Sequence, residues 1–65
     1  MKRYEVTKIN VKTEKEFNLG IYDKEDVKLI VRGYKFNGLF FERKNSDSIY
    51  VINAVAWLGE IWVIL

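Results

Sequence analysis

Polar and apolar positions alternate in three different ways along the chain, and each pattern predicts a different element. At the start, Tyr4, Val6, Ile9 and Val11 stand within a polar run, and the alternation slips by one between Val6 and Ile9. This predicts a strand over about residues 3–12 with a bulge near Thr7-Lys8. Thr13-Glu14-Lys15 then reads as a turn, and Phe17 and Leu19 mark a short second strand that closes at Gly20.

The spacing changes after Tyr22. Val27, Ile30, Val31 and Tyr34 fall at i, i+3, i+4 and i+7, the single apolar stripe of a helix laid on a sheet. Asp23 is a good N-cap, Asp26 stands where a capping box has its acidic partner, and Tyr22 is placed to staple against Val27. The preferred reading runs this helix from Lys24 to a stop at Asn37 or Gly38. A rival reading ends it at Gly33 and uses Asn37-Gly38 as a two-residue hairpin turn between Tyr34-Lys35-Phe36 and Leu39-Phe40-Phe41.

From Leu39 onward the pattern is that of an antiparallel meander. Leu39 to Lys44 forms a strand, Asn45 to Ser48 a polar turn, and Ile49 to Leu58 a second strand. Gly59-Glu60 supplies a type II′ turn with glycine at its first central position, which sets Leu58 opposite Ile61, Trp57 opposite Trp62, Ala56 opposite Val63 and Val55 opposite Ile64. Both alternating sets of this last segment are apolar, so both of its sides need cover. One side carries Ile52, Ala54, Ala56, Leu58, Ile61 and Val63, and its small alanines suit the approach of the helix. The other carries Val51, Val55, Trp57, Trp62 and Ile64, joined by Phe40, and one helix cannot cover both.

The expected fold is therefore α+β: a single domain over residues 1–65, with one helix packed on one face of a four- to five-stranded antiparallel sheet in the order β-β-α-β-β-β. Chains of this length bury only about 60% of their unfolded surface, so an added source of stability is expected. Cysteine and histidine are both absent, which removes disulfides and the usual transition-metal ligands. Association is the remaining source. No cofactor and no metal are expected.

Net charge is +2, too small to imply nucleic acid by itself. The opening residues lack the apolar run of a signal peptide, and the expectation is a cytoplasmic protein. Abundant Lys, Asn, Ile, Tyr and Phe, with no Pro or His, suggest an AT-rich bacterial or phage source.

Catalytic chemistry is poorly supplied. Nucleophilic triads and most general-base schemes use His or Cys; Ser46 and Ser48 lie in a turn with no evident base, and the scattered glycines form no phosphate loop. The expectation is a non-enzymatic protein. Its leading function is protein binding, of an inhibitory or regulatory kind, by a homodimer or toward another protein. The expected surface is the sheet face of Trp57, Trp62, Val55, Ile64, Val51 and Phe40, where uncovered tryptophan is the residue most enriched in binding hot spots. The alternative is nucleic-acid binding by Lys24, Lys28, Arg32 and Lys35, a basic stripe along one flank of the helix. Membrane insertion is disfavoured, because Asn53 and Glu60 interrupt a segment already short for a span of about 20 residues.

Overall fold

A computed structural model describes residues 2–65. The elements are β1 (Arg3–Asn10), β2 (Glu16–Asp23), α1 (Lys24–Ile30), β3 (Lys35–Phe36), β4 (Phe41–Glu42), β5 (Ser48–Leu58) and β6 (Ile61–Ile64). One helix and a six-stranded antiparallel sheet thus confirm an α+β chain, with one more strand than the upper expectation. The sheet runs β2-β1-β5-β4-β3, with β6 also paired to β5.

β5 is the strand around which this sheet is assembled. Along one edge it pairs with the whole of β1, from Asn10 opposite Ser48 to Arg3 opposite Val55. Its other edge is shared between β4, at Tyr50, and β6, from Val55 to Leu58. Directly opposed residues lie on the same side of a sheet. One side therefore holds Tyr4, Val6, Tyr22, Tyr50 and Ile52, and the reverse holds Arg3, Glu5, Ile21, Val51 and Val55. Val6, flanked by Gly20 and Ile52, is fully buried, and Val27, Val31 and Val55 are the other buried apolar side chains among the described residues.

The first hairpin departs from expectation in its bulge. β1 keeps its alternation, and the extra residue lies on β2, where Leu19 has no partner between Gly20 opposite Val6 and Asn18 opposite Thr7. Gly20 takes φ +109°, a conformation that L side chains rarely adopt. Because glycine here serves a bulge and not a stop, β2 continues to Asp23.

Asp23 caps the helix, its Oδ1 accepting a hydrogen bond of 2.9 Å from the Asp26 amide. The helix is much shorter than the preferred sequence reading. It stops at Ile30, and the rival reading, with a strand after Gly33, describes the chain. Two causes act together. Gly33 adopts φ +83°, and Lys35–Phe36 finds a ladder partner in Phe41–Glu42, which a helix would forfeit. The apolar spacing still has its use: after the backbone leaves the helix, the Tyr34 ring meets Tyr50 edge-on at 5.0 Å, and its hydroxyl lies 3.1 Å from Ser46 Oγ.

The β3–β4 connection is not the two-residue Asn-Gly turn. Asn37 organises a longer loop, its Oδ1 accepting from the Leu39 and Phe40 amides at 3.0 Å each and its Nδ2 donating to Glu42. The pairing is Phe36 opposite Phe41, with ring centroids 5.0 Å apart.

Contacts of α1 fall on β1 and β2. They do not extend cover to the alanine side of β5, since Ala54, Leu58 and Ile61 are all exposed. The alanines do not seat the helix because it ends too early and starts from β2, the far edge of the sheet from β6. The Cα radius of gyration is 12.4 Å over a 41 × 22 × 18 Å envelope. A compact chain of this length has about 11 Å.

Two outcomes follow from this packing. Val6→Ala removes two methyl groups at the fully buried centre and lowers unfolding free energy by about 2 kcal/mol in urea titration. Burial, with a smaller push from Tyr34, holds the Tyr50 hydroxyl above its ordinary pKa of 10.0. The unfolded chain then releases this proton at a lower pH than the folded chain, so the contribution is full below pH 10.0 and is lost as pH rises above it. Tyr50→Phe has a shallower loss of stability between about pH 9 and pH 11, measured as the shift in urea midpoint.

Candidate functional site

The segment from Ala56 to Leu65 forms an arm. β1 ends opposite Val55, and past that point the described residues of β5 pair with β6 alone. Leu58 and the turn that follows it thus project roughly 10 Å or more beyond the Arg3–Val55 pair, at about 3.3 Å per strand residue. Every register pair expected of the hairpin is present: Val55 with Ile64, Ala56 with Val63, Trp57 with Trp62 and Leu58 with Ile61. Gly59 has φ +65° and Glu60 has no positive φ. A type I′ turn needs positive φ at both central residues, so this is the type II′ turn.

The turn also fixes how the arm hydrogen-bonds. The Leu65 amide donates to the Ala54 carbonyl at 2.8 Å, and bonded and non-bonded pairs alternate from there toward the turn. Leu65, Val63 and Ile61 therefore direct their backbone groups to β5. Trp62 and Ile64 direct theirs to the outer edge. Trp57 and Trp62 form a non-hydrogen-bonded pair, the closer of the two kinds, and their ring centroids stand 5.2 Å apart at 54°.

These rings are not core residues. Trp57 is 54% exposed, Trp62 42% and Ile64 55%, all on one side of the arm. Val55, expected beside them as contact surface, is 6% exposed, with Arg3 and Ile64 flanking it on the two neighbouring strands. Val51 is half-buried further along the same side of β5. Phe40 does not join the group. It lies in the β3–β4 loop next to Phe41, which pairs with Tyr50, seven positions and roughly 23 Å along β5 from Trp57.

Leu58, Ile61 and Leu65 enlarge the exposed apolar arm, although the sequence reading gave Leu58 and Ile61 to the core. The missed signal was length. β5 has 11 residues and β1 has 8, so one end of β5 had to overhang. Within Ala56–Leu65 the single charge is Glu60, at the turn.

The expected basic stripe is not assembled on one helix. Lys24 and Lys28 lie on α1, Arg32 in the turn after it, and Lys35 on β3, opposite Glu42. The early end of α1 breaks the i, i+4, i+8 series. Lys35 instead borders an open depression with Gly33, Glu42, Arg43 and Lys44, toward the end of the sheet away from the arm. No metal-binding group of three or more acidic side chains exists among the described residues. No helix of the described residues is long and apolar enough to cross a membrane.

The chain as a whole exposes more surface than a compact monomer of its mass. A folded monomer of 7.7 kDa exposes roughly 4,300 Å² by the usual scaling of surface with mass. This chain exposes 5180 Å². No protein-family model, no curated protein and no solved structure matches the chain at a significant level.

In a double-mutant cycle on Trp57→Ala and Trp62→Ala, followed by urea denaturation, the pair shows a coupling energy of about 0.5–1.5 kcal/mol, the value of an aromatic contact beyond its area.

Proposed function

We propose that this chain is a non-enzymatic protein-binding module of a regulatory or inhibitory kind, with the tryptophan side of the arm as its binding surface. The observation that carries this reading is the joint exposure of Trp57, Trp62 and Ile64 on a projecting hairpin. Contiguous exposed apolar surface marks sites of interaction, and tryptophan is enriched where binding energy concentrates. The residue repertoire supports it from the other side, since His and Cys, on which nucleophilic triads and most general-base schemes rely, are both absent. In this reading α1 packs on the side of the sheet that carries Val6 and Tyr50. That leaves the reverse side, with the arm, for a partner.

Nucleic-acid binding is the weaker reading, because its cations are divided among three elements and Glu42 sits among those around the depression.

The test is the Trp57→Ala/Trp62→Ala double variant, first shown by circular dichroism to fold as the parent does. Truncating hot-spot tryptophans costs about 2 kcal/mol or more each, so association weakens by at least about 30-fold, seen in sedimentation and in loss of the proteins recovered with the parent from its native source. A folded double variant that keeps every association of the parent overturns the reading.

A further inference from the structure

Among the described residues two strand edges stand open without charge or bulge: the overhang of β5 past Val55, which has a single outward residue in Trp57, and the outer edge of β6, which is longer and points to the partner. Strand edges offer unpaired amide and carbonyl groups to other chains, and folded proteins blunt them with charge, bulges or brevity. The outer edge of β2 carries Glu16 and Asp23 and is broken by the bulge at Leu19 and Gly20. β3, at the opposite border, has only two residues, one of them Lys35. β6 has neither charge nor bulge nor proline between Ile61 and Ile64, and its outward backbone groups belong to Trp62 and Ile64.

We infer that a second copy of this chain adds to that edge, β6 against β6 in antiparallel fashion, about a two-fold axis through Val63. An axis at this residue sets Trp62 opposite Ile64 of the second copy and Ile64 opposite its Trp62, so both exchange amide-to-carbonyl hydrogen bonds. Three observations favour a second copy over a different protein. The surface surplus of the whole chain, roughly 900 Å², leaves room for the about 800 Å² that a dimer interface of standard size takes from each copy. The arm is apolar on both sides up to Glu60 and so presents no charge pattern for an oppositely charged partner to match, whereas an isologous contact asks only for self-complementarity. Finally, a chain with four buried apolar side chains and no disulfide needs its stabilising partner from the moment it folds, and another copy is the partner always present. This inference rests on the reading of the arm as a protein-binding surface and names what it binds.

The purified parent protein is the first sample. Its sedimentation mass is twice the 7.7 kDa of the chain, and its melting temperature rises with protein concentration. Amide exchange supplies a readout that needs no variant. Ile61, Val63 and Leu65 are protected at every concentration, whereas Trp62 and Ile64 gain protection as concentration rises. The variants then separate edge from side chain. Ile64→Pro removes an outward amide without touching the bonds between β5 and β6, while Ile64→Ala keeps that amide and removes the side chain. Ile64→Pro is monomeric at concentrations where Ile64→Ala still dimerises, a difference of at least about 10-fold in dissociation constant. A parent that stays monomeric with a concentration-independent melting temperature overturns the second copy, as does binding of the arm to lipid vesicles or to a different protein in place of itself. Dimers in which Trp62 and Ile64 amides exchange freely, or in which both Ile64 variants weaken equally, overturn the edge pairing. A monomeric parent overturns this inference alone, and the broader binding reading then stands or falls on the tryptophan double variant.

Discussion

The structure depends on β5 being hydrogen-bonded along both edges. β1 supplies one edge and β4 with β6 the other, so three strands and their connections are held by a single run of 11 residues. The sequence of that run suits the task. Ser48 to Leu58 contains neither proline nor glycine, and β-branched or aromatic side chains fill most of it, as a strand with neighbours on both sides requires. Val55 shows the effect locally: lying opposite both Arg3 and Ile64, it is buried on a side of the sheet where Val51 is half-buried and Trp57, Trp62 and Ile64 are exposed.

What could be read from the chain beforehand was governed by short-range chemistry. The Gly59-Glu60 turn gave every pair of the terminal hairpin, because a two-residue loop admits one register and glycine selects the turn type. The Asp23 cap was legible for the same reason: the bond from its carboxylate spans three residues. Helix length was not, since it was decided by competition. Tyr34 obeys the helical spacing of Val27 and Val31, yet the ladder between Lys35–Phe36 and Phe41–Glu42 draws the backbone away after Gly33, and neither spacing nor capping reports the strength of a ladder. The bulge was sensed but put on the wrong strand, because a slip between two strands looks alike from either one until their pairing is known.

The candidate surface was legible in part. Trp57, Trp62 and Ile64 were expected together and are together, because one hairpin carries all three. Phe40 was separated from them by the β3–β4 connection, and Val55 was closed off by its flanking strands, both outcomes of distant pairing. The same limit applies to the basic residues. Lys24 and Lys28 remain neighbours on α1, while Arg32 and Lys35 follow the backbone out of the helix.

Pairing of β1 with β5 sets an order on assembly. Arg3 waits for Val55, 52 positions later in the chain. At synthesis rates of about 5–20 residues per second, the β1–β2 ribbon spends several seconds with one long edge open, whereas a local hairpin closes in about 1–10 μs once made. Contacts of such long reach make folding slow for a chain this small. A two-stranded ribbon is at best marginally stable alone, and the strand that completes it is the one whose far end carries the apolar arm. Completion of the sheet and exposure of the arm are therefore a single event in the life of the chain.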